Sequence, residues 1–494
     1  MKKYIKLSLI LLTAIILSAC QNSPKQDIVT SKNDGSFDTS ILQTATIPEQ
    51  QNVPANWEYI EQFTSTDGKV NFSLQLSQEL SQTAMPVIQV SPHYLTEQDA
   101  KRVADVLFPN TTFYESVLAL DSNMLSKNDL QEKISRWSEY TSTDALSALF
   151  PYDSSFYQQR EQIVEVLKNS IEHYTKLYES APDGNPHALC EWTFKPESKY
   201  LYAEEDLQGL DLSKDNEAIE VMLKYHDIPY YLAITKRNQQ DFKLNSIFAY
   251  PETGYSPRSI DEYILRAELT RTTKPTQDQM LAICEYAQEL LDKMELGVWK
   301  VDDYSLDTVD IGDFTEYTIN VSAVPVIEGV LVGRREQSMN LLSDSVFASN
   351  YYITDVQFRF SSEGELLYFE MQSPIDVTYI VNDNVATLNF DELMEKAKTY
   401  FIHSDGNHYG VNVVAGSTNE QIVCNVTVSE MEYALTRVKV PNTDESYYYI
   451  PSIILRGDIE IVGSESGTLY SSKTNLELLT LNAVDGTVIN STNE

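Results

Sequence analysis

Cations, cysteines and histidines are scarce in this chain: its 494 residues set 36 Lys and Arg against 73 Asp and Glu, with four cysteines and six histidines. A body of formal charge −37 is repelled by nucleic-acid phosphates over a Debye length of about 8 Å at physiological salt, which excludes a DNA or RNA partner. The histidines (His93, His173, His187, His226, His403 and His408) are scattered, and neither His-Glu-x-x-His nor paired Cys-x-x-Cys occurs, so a local zinc signature is lacking. No Gly-x-x-x-x-Gly-Lys is present to cradle phosphates, and no serine stands three residues before a lysine. With 17 glycines, 18 prolines and 42% apolar residues the composition is that of globular material. Beyond the first twenty residues no apolar run approaches the eighteen or so that a bilayer-spanning helix needs.

What is present is concentrated at the start. Lys2, Lys3 and Lys6 precede an apolar stretch, Leu7 to Leu17, interrupted only by Ser8 and Thr13. Its charge, core and small-residue order are those of a secretory signal, too short to span as a stable helix. The sequence Leu17-Ser18-Ala19-Cys20 resembles a bacterial lipobox, which implies cleavage before Cys20 and attachment of diacylglycerol to its sulfur. Each buried methylene contributes about 0.8 kcal/mol, and two acyl chains such as palmitate anchor stably where one does not. The resemblance thus implies Cys20 as the lipid-attachment site and residues 1–19 as the signal peptide, and the mature chain is expected on the extracytoplasmic face of the cell membrane. Loss of the three signal lysines leaves 33 basic residues against 73 acidic ones.

From Gln21 to Asn56 the chain is rich in Gln, Ser, Asn, Thr and Pro, and Phe37 is its only aromatic residue. Such a segment buries too little apolar surface to offset its ordering entropy, so residues 20–56 read as a lipidated flexible tether. Folding signals begin at Trp57. Trp57 to Thr64 and Val70 to Ser77 alternate around Thr66-Asp67-Gly68-Lys69, a hairpin signature. Three helix starts follow one grammar, with Thr96, Thr276 and Asn389 as N-caps and Asp99, Gln279 and Glu392 three residues on. Four and eight residues past each cap stand Ala100, Met280 and Leu393, then Ala104, Cys284 and Ala397, so a small residue recurs at the second position. Further helix is predicted for Ser126 to Tyr140 and for Asp153 to Glu179, the latter stopped by Pro182 and Gly184.

Strand runs dominate Ala188 to Tyr250. They return in Val298 to Asp303, Thr315 to Val326, Tyr352 to Phe360 and Leu366 to Gln372 after the second capped helix. After the third come Glu420 to Val428, Ala434 to Val440, Tyr448 to Ile461 and Leu476 to Ile489, the last turned by Asp485-Gly486. A helix followed by an antiparallel meander is α+β grammar, with single helices packed on antiparallel sheets. The predicted domains are an N-terminal α+β domain over 57–255, a middle α+β domain over 256–385 and a C-terminal domain over 386–494.

The C-terminal residues carry a family resemblance. The helix from Asn389 to Phe401, Ser429-Glu430-Met431-Glu432-Tyr433-Ala434-Leu435-Thr436-Arg437-Val438, Tyr449-Ile450-Pro451, and Leu479 to Ile489 through Asp485-Gly486 resemble Gram-positive surface lipoproteins. The last domain of those proteins is similar to PepSY and YycH/YycI-type extracytoplasmic modules. The resemblance implies inhibition of a peptidase or modulation of a membrane sensor kinase, mostly without chemistry of the module's own. This chain departs from the YycH/YycI type in its expected lipid anchor.

Other constellations are weaker. Cys190, Cys284 and Cys424 sit in apolar patterns as small core residues, with pairing of any two left open. Asp302, Asp303, Asp307, Asp310 and Asp313 lack the EF-hand order and read as an acidic edge that protects a strand. His403 and His408 read as a helix C-terminus and turn. Gly463-Ser464-Glu465-Ser466-Gly467 has glutamate where a nucleophile elbow needs serine. Tyr230-Tyr231 and Tyr447-Tyr448-Tyr449 read as strand residues. The resulting expectation is a lipoprotein that binds or regulates another envelope protein or a cell-wall ligand, with no cofactor, no metal and no catalytic residue; the oligomeric state is left open. The alternatives are a glycan or peptide hydrolase with sequence-distant carboxylates and a solute-binding protein.

Overall fold

The computed structural model describes residues 37–45, 57–78, 85–115, 126–142, 144–145, 154–184, 188–196, 217–226, 228–239, 242–251, 269–270, 273–311, 314–333, 354–404, 421–440 and 446–491. The signal segment, Cys20, most of the tether, His187, His408 and Asp313 lie outside these residues. In chain order the elements are β1 (Trp57–Thr64), β2 (Val70–Gln78), β3 (Val87–Pro92), α1 (Glu97–Leu107), β4 (Tyr114–Glu115), α2 (Lys127–Glu139), α3 (Ser154–Tyr178), β5 (Lys195–Pro196), β6 (Glu217–Tyr225), β7 (Ile228–Gln239) and β8 (Phe242–Pro251). There follow α4 (Gln277–Met294), β9 (Trp299–Ile311), β10 (Phe314–Ile327), β11 (Val330–Leu331), β12 (Asp355–Ser361), β13 (Leu366–Gln372), β14 (Ile375–Asn382), α5 (Phe390–His403), β15 (Ile422–Lys439), β16 (Tyr447–Gly463), β17 (Gly467–Asn482) and β18 (Val488–Ser491).

The helices begin where their caps predict. Thr96, Ser126, Thr276 and Asn389 each accept from the backbone N–H of N3, and the N3 side chain accepts from the cap N–H in return. In α1 the spacing of Ala100, Val103, Ala104 and Leu107 makes one fully buried stripe. The small-residue position is buried at Ala104 and Ala397, whereas Cys284 is half-buried and α4 instead buries Ile283, Ala287, Leu290, Leu291 and Met294. The reason is that α4 packs beside α1 in one core, so its contact face is rotated away from the sequence register.

Two mostly antiparallel sheets make an α+β protein of more than one domain. The ten-stranded sheet runs β11-β10-β12-β13-β8-β7-β6-β4, with β9 on β10 and β5 on β6; α1 and α4 back it. The eight-stranded sheet runs β1-β2-β15-β16-β17-β18, with β3 on β16 and β14 outside β3; α5 backs it through Leu393, Met394, Ala397 and Phe401. Among the described residues its one parallel strand pair is β2 with β15, and an isolated parallel bridge joins Val332 to Leu435 of β15.

The boundaries at 255/256 and 385/386 do not follow the sheets. β1, β2 and β3, from the first predicted domain, and β14, from the second, belong to the sheet of the C-terminal residues, while β6–β8 and β9–β13 share the other. Strand edges are satisfied by whichever chain can bury its apolar side chains there, and sequence distance enters only through a slowly growing loop entropy. The tether is shorter than composition suggested: Phe37 is buried with Val87, Val385, Val438, Ile450 and Ile489, and Thr44 bridges Val385. A single aromatic residue becomes an anchor because a preformed apolar pocket receives it. The predicted runs at 420–428 and 434–440 are one strand, β15, with a bulge between Val428 and Glu430.

Candidate functional site

β14 and the junction at its first residue form the candidate site. Ile375-Asp376-Val377-Thr378-Tyr379-Ile380-Val381-Asn382 is rich in β-branched and aromatic residues, which favour extended backbone. One edge pairs with β3, from Ile375 opposite Pro92 to Asn382 opposite Val87, with two bulges. His93 N–H donates to Pro374 O at 2.8 Å and Val385 N–H to Met85 O at 3.0 Å, closing both ends of that ladder. The opposite edge pairs, among the described residues, only beyond Asn382: Ala45 N–H donates to Asn384 O at 3.0 Å and Ala386 N–H to Gln43 O at 2.8 Å. Along the strand itself Val377, Tyr379 and Ile380 are exposed by 48%, 63% and 38%.

His93 ties the start of β14 to the helices of the other sheet. Its Nδ1 lies 2.9 Å from Asp376 Oδ1 and its Nε2 3.3 Å from Asp99 Oδ2. Asp99 is also the N3 residue of α1 and receives Arg102 Nη2 at 2.5 Å, while Arg102 Nε donates to Met294 O at 2.6 Å at the end of α4. Burial opposes ionisation of Asp99, but hydrogen bonds from the Thr96 hydroxyl and amide, with His93, outweigh it and hold the carboxyl below its ordinary range. Asn245 Nδ2 donates to His93 O at 2.9 Å, adding β8 to the same knot.

A second junction lies at the far side of the contact between sheets. Gly333 N–H donates to Leu435 O at 2.9 Å, and a Cβ at Gly333 would stand 2.2 Å from Ile454 Cδ1. Close by in the ladder, Arg456 stands opposite Glu430 on β15 and Glu477 on β17, and its Nε is 3.6 Å from Glu432 Oε2. Burial raises the Glu432 carboxyl, Arg456 opposes the shift, and Asp302 and Glu477 add to it. Arg456 thus offsets part of the repulsion among the carboxylates around Glu432.

The remaining sequence candidates find structural places. Cys190, Cys284 and Cys424 are free thiols, and burial raises each, Cys424 to about 12, away from thiolate reactivity. His403 closes the last turn of α5. Asp302, Asp303, Asp307 and Asp310 lie exposed on β9, whose only strand partner among the described residues is β10. Glu465 is in the turn between β16 and β17, and Asp485-Gly486, with Gly486 at φ +75°, turns β17 into β18. Tyr230, Tyr231, Tyr447 and Tyr449 are buried on β7 and β16, and Tyr230 Oη donates to Leu366 O at 2.8 Å. Sequence reasoning missed β3 and β14 altogether. Val377, Tyr379 and Val381 at alternate positions were the available signal for β14.

No known protein family matches the chain, and no curated protein sequence does. Among solved structures, an uncharacterized protein from Eubacterium rectale ATCC 33656 aligns over 88% of this chain and 93% of its own, with 11% identity and a TM-score of 0.37. The Bacillus megaterium YpeB C-terminal domain aligns over 60% of this chain and 86% of its own, with 11% identity and a TM-score of 0.24.

Proposed function

We propose that this chain is an extracytoplasmic lipoprotein, anchored through Cys20, whose folded body recognises another component of the cell envelope and does not transform it. The observation that carries the reading is the order of the first twenty residues: Lys2, Lys3 and Lys6, the Leu7 to Leu17 run, and Leu17-Ser18-Ala19-Cys20. No helix among the described residues is long and apolar enough to cross a membrane. The C-terminal resemblance to PepSY and YycH/YycI-type modules supports a binding role.

Metabolic labelling with a clickable palmitate analogue in a Gram-positive host tests the anchor. The full chain should take up label in the membrane fraction, and Cys20→Ala should lose it and leave the membrane. Label that persists in the Cys20→Ala variant, or a wild-type chain found in the cytosol, overturns the reading.

A further inference from the structure

We propose that His93 is a proton-operated clasp: while its ring carries two protons it ties the start of β14, in one sheet, to α1 on the other, and it lets β14 go when the ring carries one. This adds a control to the binding role inferred above and rests on that reading for its setting, since a chain outside the membrane meets the pH of its surroundings directly. Geometry carries it. Both ring nitrogens lie against carboxylates, Nδ1 2.9 Å from Asp376 Oδ1 and Nε2 3.3 Å from Asp99 Oδ2. An ionised carboxylate only accepts, and a neutral imidazole has one N–H, so only the imidazolium donates to both. The two acids belong to different sheets: Asp376 is the second residue of β14 in the eight-stranded sheet, whereas Asp99 lies in the first turn of α1, which backs the ten-stranded one.

The two ends of the clasp are unequally fixed. Asp99 Oδ2 also accepts from the Thr96 N–H at 2.8 Å and the Thr96 hydroxyl at 2.6 Å, Asp99 Oδ1 takes Arg102 Nη2 at 2.5 Å, and the side chain is 9% exposed. The Asp376 side chain is 55% exposed. A lone pair on Nε2 would face a buried carboxylate that cannot turn away, so the single proton of the neutral ring stays there; the bond to Asp376 breaks instead, and water receives that carboxylate. The other charged groups at the junction, among the described residues, are Arg102, whose Nη1 is 3.8 Å from Glu295 just past α4, and Lys236 of β7, which feels Asp99 and Glu97. β3 bears no charge, and Asn245 of β8 donates to the His93 carbonyl. Histidine is the side chain that ordinarily changes charge between about pH 5 and 8, so the clasp closes on the acid side of that range and opens on the basic side.

The test is deuterium exchange on the full chain in neutral-lipid nanodiscs from about pH 5 to about pH 8, each rate divided by its intrinsic value at that pH. Protection across 374–378 should fall about threefold or more over this range in the wild type, while 97–107 keeps its own. His93→Gln should show the low protection at 374–378 at every pH. Asp376→Asn is the sharper variant: its amide can accept from Nδ1 or donate to it, so a neutral ring satisfies both neighbours and the fall should vanish. It changes an exposed side chain, so poor folding of His93→Gln does not rescue the proposal. A flat wild-type profile, or a fall of equal size in either variant, overturns it. A difference between wild type and His93→Gln that is the same at every pH would make His93 a structural residue alone and also overturns it. A wild type that shows the fall but takes up no palmitate label keeps the clasp while the anchored reading falls, and a labelled chain with a flat profile does the reverse.

Discussion

β9 and β14 occupy the same topological position, each the outermost strand of one sheet among the described residues, and they handle it in opposite ways. β9 runs thirteen residues and carries Asp302, Asp303, Asp307 and Asp310, all exposed, so that any second strand meets carboxylates on both faces. Asp310 also accepts from the Thr315 hydroxyl at 2.9 Å, which holds part of this guard against β10. β14 carries one carboxylate, Asp376, and His93 engages it. The difference teaches that overall acidity does not protect every edge: the charges are placed on the strand that must stay alone. An edge left apolar in a chain with 73 acidic residues is a local exception of the kind found at functional sites.

Four measurements break or sharpen this contrast, beginning with the largest effect. If β14 lay bare because its sheet were loosely formed, truncating the core beneath would matter little. Phe401, fully buried against Phe72 with ring centroids 5.0 Å apart, should instead cost about 3–5 kcal/mol as Phe401→Ala in urea unfolding. Next is the sheet interior, where the bulge in β15 brings backbone onto Gly457, whose added Cβ would stand 1.8 Å from Thr427 O. Gly457→Ala should cost about 1–3 kcal/mol by the same measurement, because backbone has to move.

The third concerns the knot at the start of β14. Asp99→Asn should cost about 1–3 kcal/mol near neutral pH by leaving Arg102 and His93 short of an acceptor. Because the folded carboxyl titrates below its ordinary value of 3.8, the wild type holds this contribution in full above that value and loses it as pH falls through the folded value. Thermal melts from pH 7 to pH 2 should therefore show the gap between wild type and variant closing only at the acid end. The smallest stability effect is at the edges themselves. Tyr379→Lys on β14 and Asp307→Val/Asp310→Val on β9 should each change unfolding free energy by no more than about 0.5 kcal/mol. Their association should diverge, with light scattering rising for the unguarded β9 and staying flat for the lysine on β14.

Much of the local structure was legible because it is written in short-range chemistry. The Thr96/Asp99, Thr276/Gln279 and Asn389/Glu392 pairs appear as reciprocal caps, and the Asp67-Gly68 hairpin has Gly68 at φ +71° with Trp57 opposite Gln78. The acids of β9 were readable as an edge guard because Asp302, Asp303, Asp307 and Asp310 crowd one short extended run. The site was less legible. β14 is eight residues between Ser373-Pro374 and Asp383-Asn384, and its alternation resembles a loop with scattered apolar residues until β3 is placed beside it. Phe37 was read as part of a coil because its pocket is built from residues 87, 385, 438, 450 and 489.

The sequence by itself determined the acidic body, the capped helices, the turns and the α+β class, since each depends on residues within a few positions of one another. Only the tertiary structure decided which strands share a sheet, that Phe37 is buried, that His93 meets both Asp376 and Asp99, and that β14 is the outermost strand of its sheet among the described residues. Those outcomes depend on which distant segments bury their apolar faces together, and no local pattern encodes that competition.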